Sequence, residues 1–579
     1  MNSIYKNKTR EQLKQEERIS GSEILLRMLL LEGVECVFGY PGGSVLYIYD
    51  TMHDNPDFRH ILTRHEQGAI HAADGYARST GKVGVVIATS GPGATNLVTG
   101  IATAHMDSVP LVVITGNVPT DLIGTDSFQE ADIVGITQPI TKHNFFVRCV
   151  DDLAGTIREA FHIARSGRKG PVLIDIPKDV SAAFTTFRYP LHLSIRELAP
   201  PEHRDTDSRI HELLTAIRTS KQPLILAGGG IVYSDASTEL IDYVKRTGMP
   251  IVTTLLGLGG YPSDETMWLG MPGMHGTYAA NQALIQCDLL LSIGARFDDR
   301  VTMKLEHFAP NARIAHIDID AAEIGKLVPT LIAICGDAKH ILSRMNDLLG
   351  EPLPVKKEWV ERLLQMKSEY PLAYEDSDEV LKPQYVVEMI SRTTEGEAII
   401  TTDVGQHQMW AAQFYRYKHP RSIITSGGLG TMGFGFPSAI GAQIGNPGKI
   451  VVSINGDGGI QMCAQELAIC AIHRIPVKVV ILNNETLGMI KQWQELIYDK
   501  RYSHIDLSGS PDFVKLANAY GVPAGRADNK ADAERLWQEA LATPGPFLID
   551  FVISKDELVF PMVPQGSGLH EMILGGNSR

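Results

Sequence analysis

Residues 450–489 read IVVSINGDGGIQMCAQELAICAIHRIPVKVVILNNETLGM. One apolar run ends in Gly456-Asp457-Gly458-Gly459, a helical stretch follows, and a second apolar run ends in Asn483-Asn484. Unbroken Val, Ile and Leu suit strands covered on both faces, as in a parallel sheet. Asp457 and Asn484 stand 27 residues apart, a span that one right-handed crossover fills. Both polar groups then sit at the carboxyl ends of neighbouring strands, where open α/β sheets take their ligands. The glycines let the backbone approach an anion, and the next helix presents its N-terminus to it. A carboxylate, an amide oxygen and a nearby carbonyl are hard-cation ligands, and Mg²⁺ completes its octahedron with diphosphate oxygens and water. GDGG alone is as well read as an ordinary strand–turn–helix with capping groups. Its pairing with the second strand end makes it a candidate Mg²⁺–diphosphate site.

Working outward, the same rhythm recurs in VGVVIATSGPGATN, PLVVITGNVP, PVLIDIPKDV, PLILAGGG, DLLLSIGARF and IAHIDID. Strands alternating with helical stretches predict doubly wound α/β domains with parallel sheets. Two polar, Pro-bearing stretches, 187–208 and 351–385, read as linkers. Three domains are expected: 1–186, 205–350 and 380–579. No short-period repeat is visible.

The 579 residues carry 53 basic and 67 acidic side chains, a net charge of -14. That balance argues against a nucleic-acid partner and leaves anionic small substrates open, since a site needs only local positive charge. The cysteines, at 36, 149, 287, 335, 463 and 470, form no C-x-x-C pair, so a reduced, cytoplasmic setting is expected. The first twenty residues mix both charge signs without an apolar core, and no apolar run reaches the roughly 18 residues of a membrane span.

Further strings carry chemistry. In ILTRHEQGAIHAADGYARSTG (61–81), Glu66 opens a helix rich in small residues; read alone, it is an acid favoured by the helix dipole. His65 and His71 lack the spacing of a zinc pair and read as structural. DVGQHQMWAAQFY (403–415) and SGGLGTMGFGFPSAIGA (426–442) allow close packing on a flat ligand. Met432 stands among glycines there as an adaptable apolar residue. VFGYPGGSVLYIYD (37–50), PLVVITGNVPTDLIGTDSFQE (110–130), GARFDDRVT (294–302) and ETLGMIKQWQE (485–495) each follow or open an apolar run. In GARFDDRVT, the local reading is a solvated charge cluster whose ion pair contributes little.

Together these strings resemble the acetohydroxyacid (acetolactate) synthase family of thiamine-diphosphate enzymes, from about residue 20 to about 565. The resemblance implies thiamine diphosphate, Mg²⁺ and FAD as cofactors. Pyruvate would be decarboxylated and joined to pyruvate or 2-oxobutyrate, in branched-chain amino-acid synthesis. The implied Mg²⁺ ligands are Asp457, Asn484 and the Thr486 carbonyl. Glu66 would activate the cofactor from an apolar, water-poor place. Gln406, His407, Gly430, Thr431, Met432, Gly458, Gly459, Leu487, Gly488 and Met489 would hold it. FAD is implied at Arg168, Gly228, Gly229, Gly230, Gly273, Met274, His275, Gly294, Arg296, Asp299, Arg300, Asp318, Ile319, Gly336 and Asp337. No G-x-G-x-x-G fingerprint supports the flavin independently.

Arg300 would take the acceptor carboxylate, and Trp493 would wall the acceptor beside Phe128. Gly43 and Gln129 would order reacting groups, and Lys178 would guide anions. Ser44 and Asp121 depart from the family pattern at positions implied to face the substrate entrance. A homodimer or dimer of dimers is implied, with the site between two chains and a small regulatory subunit beside them. A pyruvate oxidase, a glyoxylate carboligase (a group without the activating Glu) and a non-catalytic assembly protein are the competing readings. Intact Glu66, Asp457 and Asn484 weigh against the last two.

Overall fold

Every residue of Val451–Gly456 and Lys478–Asn483 is buried, and the two strands pair in parallel. The short helix Asp457–Ile460, the turn Ala464–Glu466 and the helix Leu467–His473 make the crossover between them. This is the unit expected from the Gly-rich strand end. The computed structural model describes residues 8–55, 58–192 and 205–575, which form three α/β domains.

The sheet of the first domain runs, in spatial order, His60–Leu62, Val37–Tyr40, Gly84–Ala88, Leu111–Asn117, Val172–Pro177 and His143–Phe146. The third runs Ile423–Ile424, Ile399–Thr402, Val451–Gly456, Lys478–Asn483, Phe547–Val552 and Ala524–Ala527. Counting strands along the chain within each of these sheets, both orders are 2-1-3-4-6-5. The middle sheet runs Ile251–Thr253, Pro223–Ala227, Leu289–Ile293, Arg313–Asp318 and Ile332–Cys335, an order of 2-1-3-4-5. All three sheets are parallel throughout. In each, the winding direction reverses between the first and third strands, and that crevice is where such sheets bind ligands.

The first and third domains meet through the helices Glu66–Thr80 and Gly435–Gly445. Their backbones touch: a Cβ at Gly75 would overlap Ser438 O, and one at Gly441 would overlap Ala72 O. The small residues near Glu66 therefore serve helix contact. The stretch 187–208 lies partly outside the described residues; within it, the helix Thr206–Thr219 already begins. The stretch 351–385 is not plain linker. It carries the helix Lys357–Glu369, which packs Trp359 and Leu363 into the middle-domain core. Trp359 Nε1 donates to Pro223 O at 3.0 Å. Flanking prolines hid this apolar face in the sequence.

Candidate active site

A cavity of about 1100 Å³ runs from the switch point of the middle sheet to that of the third. At its third-domain end, Asp457 is 2% exposed, and its Oδ2 has no hydrogen-bond partner. Burial pushes this carboxyl up to about 7, against the pull of its own N–H and that of Gly458. Asn484 is buried, with Nδ2 donating to Gln406 Oε1 at 3.3 Å. Its carbonyl oxygen accepts the Thr486 N–H at 3.3 Å. Gln406 is fixed in turn by donation to Gln492 Oε1 and Glu557 O. A buried carboxylate oxygen without a partner, beside an amide oxygen at a Gly-rich strand end, fits an oxygen-seeking cation carrying a diphosphate.

Met432 stands between Gly430 (φ +71) and Gly433 (φ +86), both in the left-handed region that favours glycine. Asp403, buried at the end of Ile399–Thr402, accepts the Gly433 N–H at 2.9 Å and the Val404 N–H at 2.8 Å. Burial pushes its carboxyl up to about 7. A Cβ at Gly458 would lie 3.0 Å from Leu487 Cδ2 and 3.7 Å from Met432 Cε. The diphosphate turn and the Met432 turn thus close on each other. His407, Gly459, Gly488 and Met489 also line the cavity. Thr431 does not line it; its hydroxyl meets that of Thr103 in the first domain at 2.7 Å.

At the other end, thirteen of the fifteen flavin candidates line the same cavity, Arg300 among them. The exceptions, Gly228 and Gly273, shape its wall. A Cβ at Gly228 would overlap Gly294 O, and one at Gly273 would overlap Arg300 O. Arg168 reaches over from the first domain and is held by Asp320 and Glu323 at 3.2 and 2.8 Å. Trp493 lines the cavity beside the proposed cation ligands.

Glu66, Gly43, Phe128, Gln129 and Lys178 do not line it. They belong to the first-domain end. Glu66 is half-buried at the first position of its helix and accepts Asn96 Nδ2 at 3.0 Å; it is not enclosed within one chain. Gln129 has φ +61, unusual for a residue with a side chain, and its backbone abuts Gly91. Phe128 is 86% exposed. Ser44 is buried against its own domain. It is 7% exposed, and its hydroxyl engages Thr89 and Ser90 at 2.9 Å each. Asp121 is exposed. His65 caps the Glu66 helix through Nδ1, and His71 is buried against Phe434.

Sequence reasoning missed Asp403, although DVG after an apolar run is a strand-end acid. It also missed Arg78, Asp107 and Glu466, each of which makes a hydrogen bond across the boundary between the first and third domains. Among the described residues, His307, His570 and Glu571 form a second group of metal-type ligands, with Glu571 already accepting the Gly568 N–H. All six cysteines are unpaired, and no described helix is long and apolar enough to cross a membrane.

Comparison with known proteins agrees with this layout. Residues 19–136, 210–345 and 403–551 match the N-terminal TPP-binding, central and C-terminal TPP-binding domains of thiamine pyrophosphate enzymes. The chain is 49% identical to the acetolactate synthase large subunit of Lactococcus lactis, over 97% of each chain. It is 47% identical to the chloroplastic acetolactate synthase of Arabidopsis thaliana, covering 96% of this chain and 85% of that one. The large subunit from Haemophilus influenzae is 46% identical, over 96% and 98%. The chain belongs to the thiamine pyrophosphate enzymes and, among them, to the acetolactate synthase family.

Proposed function

We propose that the chain is the catalytic subunit of an acetolactate synthase. It would decarboxylate pyruvate and join the two-carbon unit to pyruvate or 2-oxobutyrate. The observation that carries this reading is the partnerless, buried Asp457 oxygen in one cavity with Arg300 and Trp493. Thiamine diphosphate, when bound, supplies the electron sink for loss of CO₂ and for carbon–carbon bond formation. The protein's share is orientation and proton handling. Asp457, Asn484 and the Thr486 carbonyl would hold Mg²⁺. Met432 and Leu487, which close on Gly458, would help hold the thiamine diphosphate. The Gly228 and Gly294 turns at the middle-domain end would hold FAD. Arg300 meets the acceptor's carboxylate with a guanidinium fork.

Glu66 comes from a second copy of the chain, with Gly43, Phe128, Gln129 and Lys178 beside it. Two observations support that. These residues are absent from their own chain's cavity. The first-domain end also exposes Tyr40, Leu46, Tyr47 and Leu62, while the third exposes Leu429, Met462 and Ile490, apolar surface that a partner would cover. The relatives named large subunits support a smaller regulatory partner for this chain as well.

The deciding assay gives the purified protein pyruvate, with and without 2-oxobutyrate, omitting each cofactor in turn. Acetolactate is expected without oxygen uptake; oxygen uptake matching turnover would make the protein a pyruvate oxidase instead. Trp493→Leu should lower the preference for 2-oxobutyrate over pyruvate by about 10- to 200-fold, the range of one methylene in an apolar pocket. Competition between the two acceptors measures it, and an unchanged product ratio removes Trp493 from the acceptor wall.

A further inference from the structure

Glu466 is a buried carboxyl with no part in the chemistry above. It lies in the turn Ala464–Glu466, nine residues beyond Asp457, and is 1% exposed. Its oxygens leave their own domain. They accept the Arg64 N–H at 3.2 and 3.1 Å, with the His65 N–H beside it. Arg64 and His65 immediately precede Glu66, and His65 is the cap of its helix. Gly68 lies over the carboxylate, where a Cβ would overlap Oε1. The group is thus seated between two backbone donors and a bare glycine.

The path back to the Asp457 turn is short and closed by backbone hydrogen bonds. Met462 N donates to Gly459 O at 3.0 Å, Cys463 N to Ile460 O at 3.2 Å, and Glu466 N to Cys463 O at 3.0 Å. These backbone bonds make a contiguous connection between Gly459 and Glu466, the kind of network through which two sites can couple. We propose that Glu466 is a positioning residue that fixes the Glu66 turn from the diphosphate segment of the same chain. This rests on the two-copy reading above. Under it, Asp457 and Glu66 of one chain serve different active centres, so Glu466 conveys occupation of one centre to the glutamate of the other. Burial pushes the Glu466 carboxyl up to about 7, opposed by the N–H donors and the Arg64 charge. Cys463 and Cys470 are the other titratable groups coupled to it. An amide is a poor substitute, because its NH₂ would face N–H donors.

The test is amide hydrogen exchange on the full-length, cofactor-free protein, with Mg²⁺ and inorganic diphosphate as the probe. That probe fills the Asp457 end without reaching Glu66. In the wild type, exchange should slow in 457–463 and also in 62–68. In Glu466→Gln, and independently in Gly68→Ala, the 457–463 response should persist. The 62–68 response should vanish, and basal exchange at Arg64 and His65 should rise about tenfold. With all cofactors added, kcat should fall about tenfold while KM for pyruvate stays within about twofold, as for misplacement of a reacting group. Gly68→Ala, on the opposite domain, decides the matter if Glu466→Gln fails to fold. A protected 457–463 with an unresponsive 62–68 in the wild type overturns the transmission. Variants that exchange like the wild type overturn the positioning. No protection at 457–463 overturns the diphosphate reading itself, and this proposal with it.

Discussion

Glu66→Gln is expected to lower acetolactate formation by about 10²- to 10⁴-fold, the range for losing a positioned proton carrier, while Mg²⁺ and thiamine diphosphate still bind. The substitution keeps size and shape, and the glutamine carbonyl can still accept Asn96 Nδ2, which meets Glu66 at 3.0 Å. The proposed cation ligands lie elsewhere, on Asp457, Asn484 and Thr486, so binding and proton handling separate. Steady-state rates paired with calorimetric titration of the cofactor check both halves. Undiminished turnover would remove Glu66 from the chemistry. Lost cofactor binding with residual turnover would make it a structural ligand instead.

The second large effect concerns stability. Arg78 is buried, with Nε on Asp74 at 2.5 Å, Nη2 on Asp107 at 2.9 Å and Nη1 on Thr425 O at 2.9 Å. Asp107 also accepts the N–H groups of Gly427 and Gly428, at 2.9 and 2.7 Å. One guanidinium thereby ties the Glu66 helix to the loop that leads to Gly430 and Met432. Arg78→Met leaves two buried carboxylates without their cation and should cost about 3–5 kcal/mol of stability. Denaturant unfolding measures this, and cofactor affinity should fall with it as the Met432 loop loosens. Lys82→Ala cuts the exposed pair with Glu35, whose side chains are 48% and 62% exposed. It should change stability by less than about 1 kcal/mol. Equal effects at the two sites would contradict the burial argument.

Strand ends were legible in the sequence because a parallel strand writes itself as an apolar run closed by Gly, Asp or Asn. That reasoning put Asp457 and Asn484 at neighbouring strand ends, where both line the cavity. It failed where meaning depends on distant partners. Glu466 meets Arg64 across 402 residues, and Asp107 meets Gly428 across 321. Each reads locally as an unremarkable acid. Nor did the sequence show that the Ser44 hydroxyl is bonded to Thr89, 45 residues away. The helix Lys357–Glu369 was hidden because prolines on both sides look like chain breaks. The Gln129 backbone, at φ +61, carries no sequence signal at all.

The shared strand order of the outer sheets has a last consequence. The chain uses one blueprint twice, with 362 positions between the starts of Val37–Tyr40 and Ile399–Thr402, the first strand of each six-stranded sheet. The two copies have divided the labour. One keeps a carboxylate after the second strand, as Glu66; the other keeps a buried, partnerless carboxylate after the third, as Asp457. Neither copy is a miniature of the whole, and grafting either alone onto another scaffold would transplant half a tool.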